Sequence, residues 1–403
     1  MTPAQIPVDA EAVVELARAL VRIRSVHQAE GDPGEAEVAA LVARTMRQFG
    51  WGAELTESAP GRPNVVATVV GGGGPGPVLG FEGHLDVVTE GDLGQWTVDP
   101  YAGLVREGRL YGRGAADMKA GLAAMLYGAR ALQLAGPFPG VLRLLVMSDE
   151  EGMMLGAKRA VADGALKGVA GVIVCEPEGG EICPTSKGAI RIRIDLTGKM
   201  AHGAMPHQGA NPIPAMAEMV AEVRRLQEQL QSEVGEHPLL GWTYLTPTVA
   251  LAGDQEQINV SPASATLALD IRTTPGVEHQ RLIGELGAAC SRVARDAGVS
   301  ADLVVLDDRP PVDTPVGHPV VTSLAAAHAE VTGEAARFGG VPGTTDGTIF
   351  TRDAGVPTVV YGPGGKWIAH QADEYVEVAE IPRYARVYAR AAQLFLGGQG
   401  GAG

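Results

Sequence analysis

Cysteine is scarce in this sequence, which contains only Cys175, Cys183 and Cys290 and no Cys-x-x-Cys pair. An odd and sparse set of thiols does not make a disulfide framework, so we expect a reducing compartment and a cytoplasmic protein. Cys175 ends the apolar run 171–175, which favours packing in a core over a role as a nucleophile.

Long apolar stretches are lacking as well. No run reaches the length of about 18 residues that a transmembrane helix needs, and the acidic N-terminus has no apolar signal-peptide core. Positive charge is in deficit, because 32 Lys and Arg residues face 47 Asp and Glu residues, for a formal net charge of −15. This balance argues against nonspecific binding of nucleic acid or of an anionic membrane.

Signatures of nucleotide binding are also missing. The glycine run 71–76 is not followed by Gly-Lys-Ser/Thr, so we interpret it as a mobile hairpin turn rather than as a phosphate loop. No Gly-x-Gly-x-x-Gly links an early strand to a helix, which disfavours a nucleotide-binding Rossmann enzyme.

The order of apolar runs predicts the fold class, and the length of 403 residues predicts two domains. Short runs typical of buried strands alternate with segments of helical periodicity, which indicates an α/β fold with a doubly wound, mainly parallel sheet. The strands are predicted at 77–81, 141–147, 171–175 and 356–361, and the helices at 9–24, 35–49, 118–134, 320–331 and 381–396. A disordered tail is expected at 397–403.

The pattern changes near Lys187. At 189–197 isoleucine and leucine alternate with polar residues, which is the period of a half-exposed antiparallel strand. Further strands are predicted at 245–251, 265–272 and 302–306, and helices at 213–233 and 278–297. We therefore predict a catalytic domain at 1–186 and 307–403, interrupted by an inserted α+β domain at 187–306.

Polar side chains follow the ends of three predicted strands. His84 and Asp86 come after the first, Glu150 and Glu151 after the second, and Glu176 after the third. Parallel strands present their carboxyl ends at one edge of a sheet, where α/β proteins bind ligands, so we expect these side chains to meet in one cleft. Taken alone, a His-x-Asp pair also fits an ordinary strand-end histidine, and Glu-Glu also fits two solvated charges at a helix start.

Two more residues extend this set into a possible metal site. Asp117 follows a Gly-x-Gly turn before a predicted helix, and His370 lies in a glycine-rich loop after the strand at 356–361. Two histidines and three carboxylates suit zinc, and less well cobalt or manganese. Five ligands overfill one tetrahedral site but fill two sites if one carboxylate bridges them. The candidate ligands are His84, Asp117, Glu151, Glu176 and His370.

Two neighbouring carboxylates would serve this site without binding metal. Glu150 would remain unliganded, as a general base beside activated water must. Asp86 would accept a hydrogen bond from the second ring nitrogen of His84 and fix the orientation of that ring.

Together these residues resemble the M20 metallopeptidases, in the branch of acetylornithine deacetylase and succinyl-diaminopimelate desuccinylase. The resemblance covers nearly the whole chain and rests on motifs that occur in the family's order. They are His84-Leu-Asp86, Tyr111-Gly-Arg-Gly-Ala-Ala-Asp117-Met-Lys119, Asp149-Glu150-Glu151, Glu176-Pro177 and the late His370. The resemblance implies an enzyme that cleaves the amide bond of an N-acyl amino acid or a short peptide.

The same resemblance implies a role for each site residue. Asp117 would bridge two zinc ions, with His84 and Glu176 completing one site and Glu151 and His370 the other. Glu150 would take a proton from the bridging water and pass it to the leaving amine.

The inserted domain at 187–306 would, by the same resemblance, be a lid through which the chain forms a homodimer. His202 in Ala-His-Gly matches the lid histidine that reaches the partner's active site and steadies the oxyanion. A donor aimed at developing charge is chemically reasonable there. Without the family match, a surface-loop histidine would be the favoured interpretation.

Further positions match parts of the family that contact substrate. Asn259 and Arg272 match lid residues that grip the substrate, and an arginine would form a planar fork onto a carboxylate. Gly343 and Thr344 resemble a substrate-contacting loop of the desuccinylase branch, with a tight turn as the alternative.

Two positions depart from the desuccinylases. Lys187 stands where those enzymes carry an arginine-rich stretch, and lysine keeps a point charge but lacks the planar fork. Met205 stands before Pro206-His207 where they carry a tyrosine. Lys187 remains a candidate for substrate binding, but succinyl-diaminopimelate is not favoured as the substrate. Dipeptidase or carboxypeptidase activity, or a non-catalytic relative that binds an amino-acid derivative, are the alternatives.

Overall fold

The computed structural model describes residues 6–27 and 34–398. Within them the chain divides into two compact units. The first runs to Thr185 and continues at Thr314–Val341 and from Thr345 onward, and the second contains Ser186–Asp313 and Pro342–Thr344. Of the tail predicted to be disordered, 397–403, the part from 399 on lies outside the described residues.

The elements are numbered along the described chain. The helices are α1 (Ala10–Val21), α2 (Gly34–Gln48), α3 (Ala120–Leu134), α4 (Leu155–Ala162), α5 (Pro212–Val234), α6 (His279–Asp296), α7 (Pro319–Thr332), α8 (Gly347–Ala354) and α9 (Glu380–Leu396). The strands are β1 (Ala53–Ala59), β2 (Arg62–Val70), β3 (Val78–His84), β4 (Leu104–Arg106), β5 (Arg109–Tyr111), β6 (Val141–Met147), β7 (Val169–Pro177), β8 (Glu181–Ser186), β9 (Gly188–Thr197), β10 (Ala201–His202), β11 (Tyr244–Ala252), β12 (Val260–Ser261), β13 (Ser264–Thr273), β14 (Ser300–Arg309), β15 (Val312–Asp313), β16 (Arg337–Val341), β17 (Thr358–Gly362) and β18 (Tyr375–Glu377).

A mixed sheet organises the first unit, with the strand order β1-β2-β6-β3-β7-β17-β8. Its centre is parallel, because β3 runs parallel to β6 and β7, and β17 runs parallel to β7. Helices α1, α2, α3, α7 and α9 contribute to the core on one face, and α4 and α8 to the core on the other. This arrangement confirms the predicted α/β fold with a doubly wound, mainly parallel sheet.

The predicted strands and helices are present, with small shifts at their ends. The strand at 141–147 coincides with β6, whereas β3 extends beyond 77–81, so that His84 is the last residue of its strand. The helix predicted at 118–134 begins later, at Ala120, because the irregular turn Ala115–Lys119 comes first, with non-helical dihedrals at Asp117.

One turn prediction is wrong. The run 71–76 was expected to close a hairpin, but β6 lies between β2 and β3 in the sheet, so those two strands are not paired. The run instead bonds to the segment that leads into β6, with the Gly73 N–H donating to the Phe138 carbonyl at 2.9 Å. Pairing with a distant strand, rather than local turn chemistry, determines this connection.

The second unit is built on an antiparallel sheet with the order β11-β13-β9-β14. Side chains of α5 and α6 share a core with Ile190, Ile192 and Ile194 of β9, while Arg191 and Arg193 on the opposite face are exposed. This confirms the predicted half-exposed antiparallel strand. The three cysteines of the sequence are free and buried. None of the helices in the described ranges has the length and apolar character that a membrane crossing requires.

Candidate metal centre

The carboxyl ends of three adjacent parallel strands bring the predicted ligands of the first unit together. His84 ends β3, Glu151 follows β6, and Glu176 lies near the end of β7. Asp117 reaches the same place from the turn before α3, and His370 from the loop after β17. The sheet thus gathers side chains that are far apart in the sequence, as the strand-end argument predicted.

Asp117 lies at the centre of this cluster, with each of its carboxylate oxygens facing a different histidine. Oδ1 is 3.1 Å from Nε2 of His84, and Oδ2 is 3.2 Å from Nε2 of His370. A carboxylate flanked in this way has the geometry of a shared ligand between two cations.

One further carboxylate accompanies each histidine. Oε1 of Glu151 is 3.1 Å from Nε2 of His370, and Oε1 of Glu176 is 4.0 Å from Nε2 of His84. Possible ligand atoms of Asp117, Glu151 and His370 all lie within 4.8 Å of one another, as do those of His84, Glu150 and Glu151. The second group also brings Glu150, the predicted base, into the cluster.

The charges of this cluster indicate what it can hold. Burial raises the pKa of Glu150 and of Glu176 well above the usual range, and neighbouring carboxylates add to the effect. Burial acts on Asp117 too, but hydrogen bonds from His370 and His84 outweigh it and lower the pKa of that carboxyl. Bonds to Asp117 and Glu151 raise the pKa of His370 to about 10.

This buried cluster contains more carboxylates than histidines that could compensate their charge. Buried charges are stable only when they are paired or bind a metal, and Oε1 of Glu176 is buried without a hydrogen-bond partner. Imidazole nitrogens and carboxylate oxygens are ligands that divalent zinc, cobalt and manganese accept. The residues present therefore fit a pair of divalent cations.

Asp86 contacts the His84 ring through its main-chain carbonyl rather than through the carboxylate that the sequence predicted, and the carboxylate has another role. Its main-chain carbonyl is 2.9 Å from Nδ1 of His84, whereas its carboxylate is 3.6 Å from that nitrogen. A proton on Nδ1 leaves Nε2 free to bind a metal. The Asp86 carboxylate accepts the N–H groups of Glu150 and Glu151, each at 3.1 Å. It therefore fixes the segment that carries both glutamates.

A second network holds the same segment from the other side, and sequence reasoning missed it. Asp149 has a left-handed backbone, with φ at 62°. Its N–H donates to Glu35 at 2.9 Å, and Arg62 bridges the carboxylates of Glu35 and Asp149. Burial, and next the charge of Asp86, raise the pKa of Glu35 to about 8. Nothing in the local sequence around Glu35 or Arg62 signals this long-range contact.

Sequence reasoning also missed a buried ion pair that contacts the backbone of two candidate ligands, Asp117 and His370. Arg113 and Glu374 are almost fully buried, and Nη1 of Arg113 is 2.6 Å from Oε2 of Glu374. The other guanidinium nitrogen donates to the His370 carbonyl at 3.4 Å. Arg113 lies inside the Tyr111–Lys119 motif, so the motif itself was the available signal.

The remaining predicted residues belong to the second unit. His202 is exposed on β10, and its Nδ1 accepts the Ala204 N–H at 3.0 Å. Asn259 is exposed as well, and its carbonyl accepts the Gly203 N–H at 2.7 Å. Thr344, beside Gly343, accepts a hydrogen bond from Arg309 at 3.3 Å.

Lys187 and Arg272 are close enough to influence each other. Nζ of Lys187 donates to the Trp242 carbonyl at 2.8 Å and lies 5.0 Å from the centre of the Tyr244 ring. Burial lowers the pKa of Lys187, and the charge of Arg272 lowers it further. Arg272 is itself paired with Asp270 through two bonds, of 2.8 and 3.1 Å.

Comparison with known proteins identifies the class to which this fold and site belong. The model of peptidase family M20/M25/M40 matches residues 80–394. The chain therefore belongs to this family and is a hydrolase, which confirms the resemblance drawn from the motifs.

Two curated relatives with the name succinyl-diaminopimelate desuccinylase are similar over most of this chain. A succinyl-diaminopimelate desuccinylase of Methylorubrum extorquens is 32% identical over 389 residues, which cover 93% of this chain and 96% of the relative. The desuccinylase of Ruegeria pomeroyi is 32% identical over 324 residues, or 77% of this chain and 82% of the relative.

Solved structures share the fold at lower identity. Aminopeptidase PepT of Bacillus cereus superposes with a TM-score of 0.80 at 21% identity, over 96% of this chain and 99% of that one. The YXEP protein of Bacillus subtilis, described as a dinuclear metal binding peptidase, superposes with a TM-score of 0.73 at 18% identity, over 96% and 98% of the two chains.

Proposed function

We propose that this protein is a two-metal amidohydrolase that cleaves the amide bond of an N-acyl amino acid, with Glu150 carrying the proton. The observation that supports it most is the placement of Asp117, whose two oxygens face His84 at 3.1 Å and His370 at 3.2 Å. An ion pair that only stabilises the fold does not require one carboxylate between two histidines. Two bound cations require a ligand that they can share, and Asp117 has that position.

The ligand assignment follows from these neighbours. Asp117 would be shared, His84 and Glu176 would complete one site, and Glu151 and His370 the other. Zinc is the proposed metal, with cobalt or manganese as alternatives. When bound, such a pair lowers the pKa of water and polarises a carbonyl group. The description of the similar Bacillus subtilis protein as a dinuclear metal binding peptidase supports a site for two metal ions.

Glu150 has the position that a proton carrier requires. Its backbone N–H donates to Asp86 at 3.1 Å, and its carboxylate forms no hydrogen bond or ion pair with the described residues. It would accept a proton from the attacking water as the oxygen adds to the acyl carbon. It would then deliver that proton to the nitrogen as the C–N bond breaks, which releases a neutral amine.

The second unit would supply substrate contacts. His202 would donate to the oxyanion in the active site of a partner subunit, and the unit would act as lid and dimer interface. Lys187 and Arg272 would hold the substrate carboxylate, with Gly343 and Thr344 at the same end of the sheet, where Thr344 bonds to Arg309. Asn259 lies at the opposite end of β9 and β13, beside Gly203, and would contact the substrate together with His202. Arg272 is already paired with Asp270, so a substrate carboxylate would share its guanidinium. Lys187, without an ion-pair partner in the described chain, then offers the less compensated charge.

The proposed substrate class is broader than the name of the relatives. The name of the succinyl-diaminopimelate desuccinylases indicates cleavage of an N-acyl amino acid, whereas the similar structures include an aminopeptidase. The same residues would hydrolyse a short peptide, since the reacting bond is an amide in both cases. We expect the reaction to take place in the cytoplasm, because the three cysteines are free.

Replacement of the base tests the proposal. Glu150→Gln should retain metal, because this residue is not a proposed ligand, and should lose turnover of acetyl-, succinyl- and dipeptide substrates by at least about 100-fold. Metal content is measured by elemental analysis, and hydrolysis by amine release. Glu54→Gln, at an exposed position on β1, is the matched control and should equal the wild type.

Each result has a clear meaning. Full activity of Glu150→Gln would remove the proposed proton carrier. A wild-type protein that binds two metal ions but hydrolyses no member of the panel would favour the alternative of a non-catalytic binding relative. A preference among the three substrate types would decide between deacylase and peptidase.

A further inference from the structure

A second concave site lies in the first unit, away from the candidate metal ligands. It has a volume of about 390 Å³ and lies against the ends of helices α7 and α9 and the turn Gly179–Gly180. None of the proposed metal ligands contributes to its lining within the described chain. The volume is in the range of pockets that hold small molecules.

The floor of this cavity is polar and buried. His328 is only 8% exposed, and its Nδ1 is 2.7 Å from the hydroxyl of Tyr361. That contact leaves Nε2, which has no partner among the described residues, as the nitrogen available to a ligand. Tyr384, 2% exposed, stacks on Tyr361 with 4.7 Å between ring centres. Polar groups at this depth are normally hydrogen-bonded.

Two exposed side chains at the rim, Arg337 and Glu334, carry charges that no ion pair within the described residues compensates. Among the described residues, the Arg337 guanidinium forms one hydrogen bond, a long one of 3.4 Å to the Gly179 carbonyl. Neither Arg337 nor Glu334 forms an ion pair within the described part of the chain. The lining contains a second pair of opposite charges, and these compensate each other because Arg383 donates to Glu380 at 3.1 Å.

These charges converge on the buried floor. Burial lowers the pKa of His328, and the charges of Glu334, Arg383 and Arg337 all act on the same ring. A side chain at Gly180 would have its Cβ 3.7 Å from Nη2 of Arg337 and 3.9 Å from the Tyr384 hydroxyl. The guanidinium and the hydroxyl therefore approach the same point in the cavity.

We propose that this cavity binds a free amino acid as a zwitterion, with its carboxylate on Arg337 and its ammonium group on Glu334. One unpaired guanidinium and one unpaired carboxylate match the two charges of such a ligand. Phosphate fits less well, because the lining contains Glu334 and Glu380 as well as two arginines, and a dianion would be repelled by both acids. This inference does not depend on the proposed reaction.

The remaining lining accommodates an apolar side chain. Val331 and Ala335 line the same cavity as the ring of Tyr384. A guanidinium forms two parallel hydrogen bonds to a carboxylate, which fixes its direction as well as its place. Leucine is therefore a suitable probe, because its side chain would meet apolar surface while both charged groups are engaged.

Calorimetric titration of the metal-loaded, full-length protein tests this. L-Leucine should bind, and two analogues that each lack one charge, 4-methylpentanoate and isoamylamine, should bind at least about tenfold more weakly. Arg337→Gln and Glu334→Gln should each weaken leucine binding by a similar factor. Arg390→Gln is the matched control, because this arginine pairs with Glu330 outside the lining, and it should bind leucine as the wild type does.

Leucine could also bind at the metal centre, so the variants are compared for metal content and for turnover. The component of binding that belongs to the cavity is the one lost in Arg337→Gln while both of those quantities are unchanged. Leucine affinity that is equal in the wild type and both variants would place the ligand elsewhere and overturn the proposal. So would the absence of binding at millimolar leucine, or equal binding by 4-methylpentanoate or inorganic phosphate.

Discussion

The carboxylate of Glu374 accepts the backbone N–H of Asp117 at 3.0 Å, although the two residues are 257 positions apart in sequence. It also accepts the N–H groups of Gly114 and Ala116, at 3.1 and 2.9 Å. Three backbone donors and the guanidinium of Arg113 thus end on one fully buried side chain. The turn that presents the shared candidate ligand is held in shape by this single carboxylate, and Arg113 extends the same support to the carbonyl of His370.

Replacement of Glu374 by glutamine should therefore weaken metal binding. Loss of a partner that orients ligands typically reduces metal affinity by about 10–100-fold, and breaking a buried ion pair on one side destabilises a protein by about 3–5 kcal/mol. Metal affinity is measured by competition with a chelator, and stability by denaturant unfolding.

The control for this change is Glu377→Gln, since Glu377 pairs with Arg109 at 2.8 Å on the surface. Exposed ion pairs contribute little to stability, and we expect both measurements to match the wild type. If Glu374→Gln bound metal as tightly as this control, the positioning role would be ruled out.

Close packing between α3 and β7 leads to a second prediction. A Cβ atom added to Gly121 would lie 2.0 Å from the carbonyl oxygen of Cys175, the residue before Glu176. Gly121→Ala must separate the two elements, and overpacking of this kind costs about 1–3 kcal/mol. The shift should also move Glu176 and lower metal affinity.

Gly287 in α6 is the matched position for this test. A Cβ atom there meets no other atom within 4 Å, so Gly287→Ala should stabilise the protein by about 0.5–1 kcal/mol through helix propensity alone. Denaturant unfolding of both variants separates steric from propensity effects. Equal stability of Gly121→Ala and the wild type would show that the elements separate without cost.

A pH dependence of stability follows from His328. Burial lowers the pKa of this histidine below its ordinary value of 6.5, so the native state binds fewer protons than the unfolded state. The free energy of unfolding therefore falls as pH decreases below the unfolded pKa, until the native pKa is also passed. Replacement of His328 by asparagine should remove this contribution and flatten the curve between neutral and mildly acidic pH.

The measurement compares the two proteins at the same metal concentration, so that the pH dependence of metal binding cancels. His207→Asn, at an exposed position, controls for the loss of one histidine and should keep the wild-type slope. A His328→Asn curve parallel to the wild type would show that this residue does not contribute.

Residue patterns along the sequence predicted those parts of the structure that depend on local order. The strand at 141–147 was found at its predicted limits because a run of apolar residues interrupted only by Arg143 has few alternatives in a buried sheet. The prediction of a hairpin at 71–76 was wrong because β6, which is distant in sequence, lies between β2 and β3 in the sheet.

The candidate site likewise contains residues that the sequence could predict and residues that it could not. His84, Asp117, Glu151, Glu176 and His370 could be named because each follows a strand or a glycine turn, and the motifs have a known order. Glu374 and Glu35 could not, because their partners are backbone N–H groups of distant turns. Any residue offers such donors, so no sequence pattern marks them.

Removal of metal should affect stability through Glu176. Oε1 of this residue is buried and has no hydrogen-bond partner among the described residues. Burial, and next the charges of Glu150 and Asp117, raise the pKa of this carboxyl group. A bound cation would compensate this carboxylate, and ligands that bind only the native state stabilise it by mass action. Addition of a chelator should therefore lower the melting temperature of the wild type.

The variant Glu176→Gln makes this prediction specific. The amide is neutral and of similar size, so it relieves the repulsion in the metal-free protein and weakens the bound state, and both effects reduce the response to chelator. At mildly alkaline pH, where a carboxyl group at this position is most strongly ionised, the difference should be largest. Glu54→Gln, an exposed substitution, should respond as the wild type does. An equal fall in melting temperature for Glu176→Gln and the wild type would exclude Glu176 from the set of metal ligands.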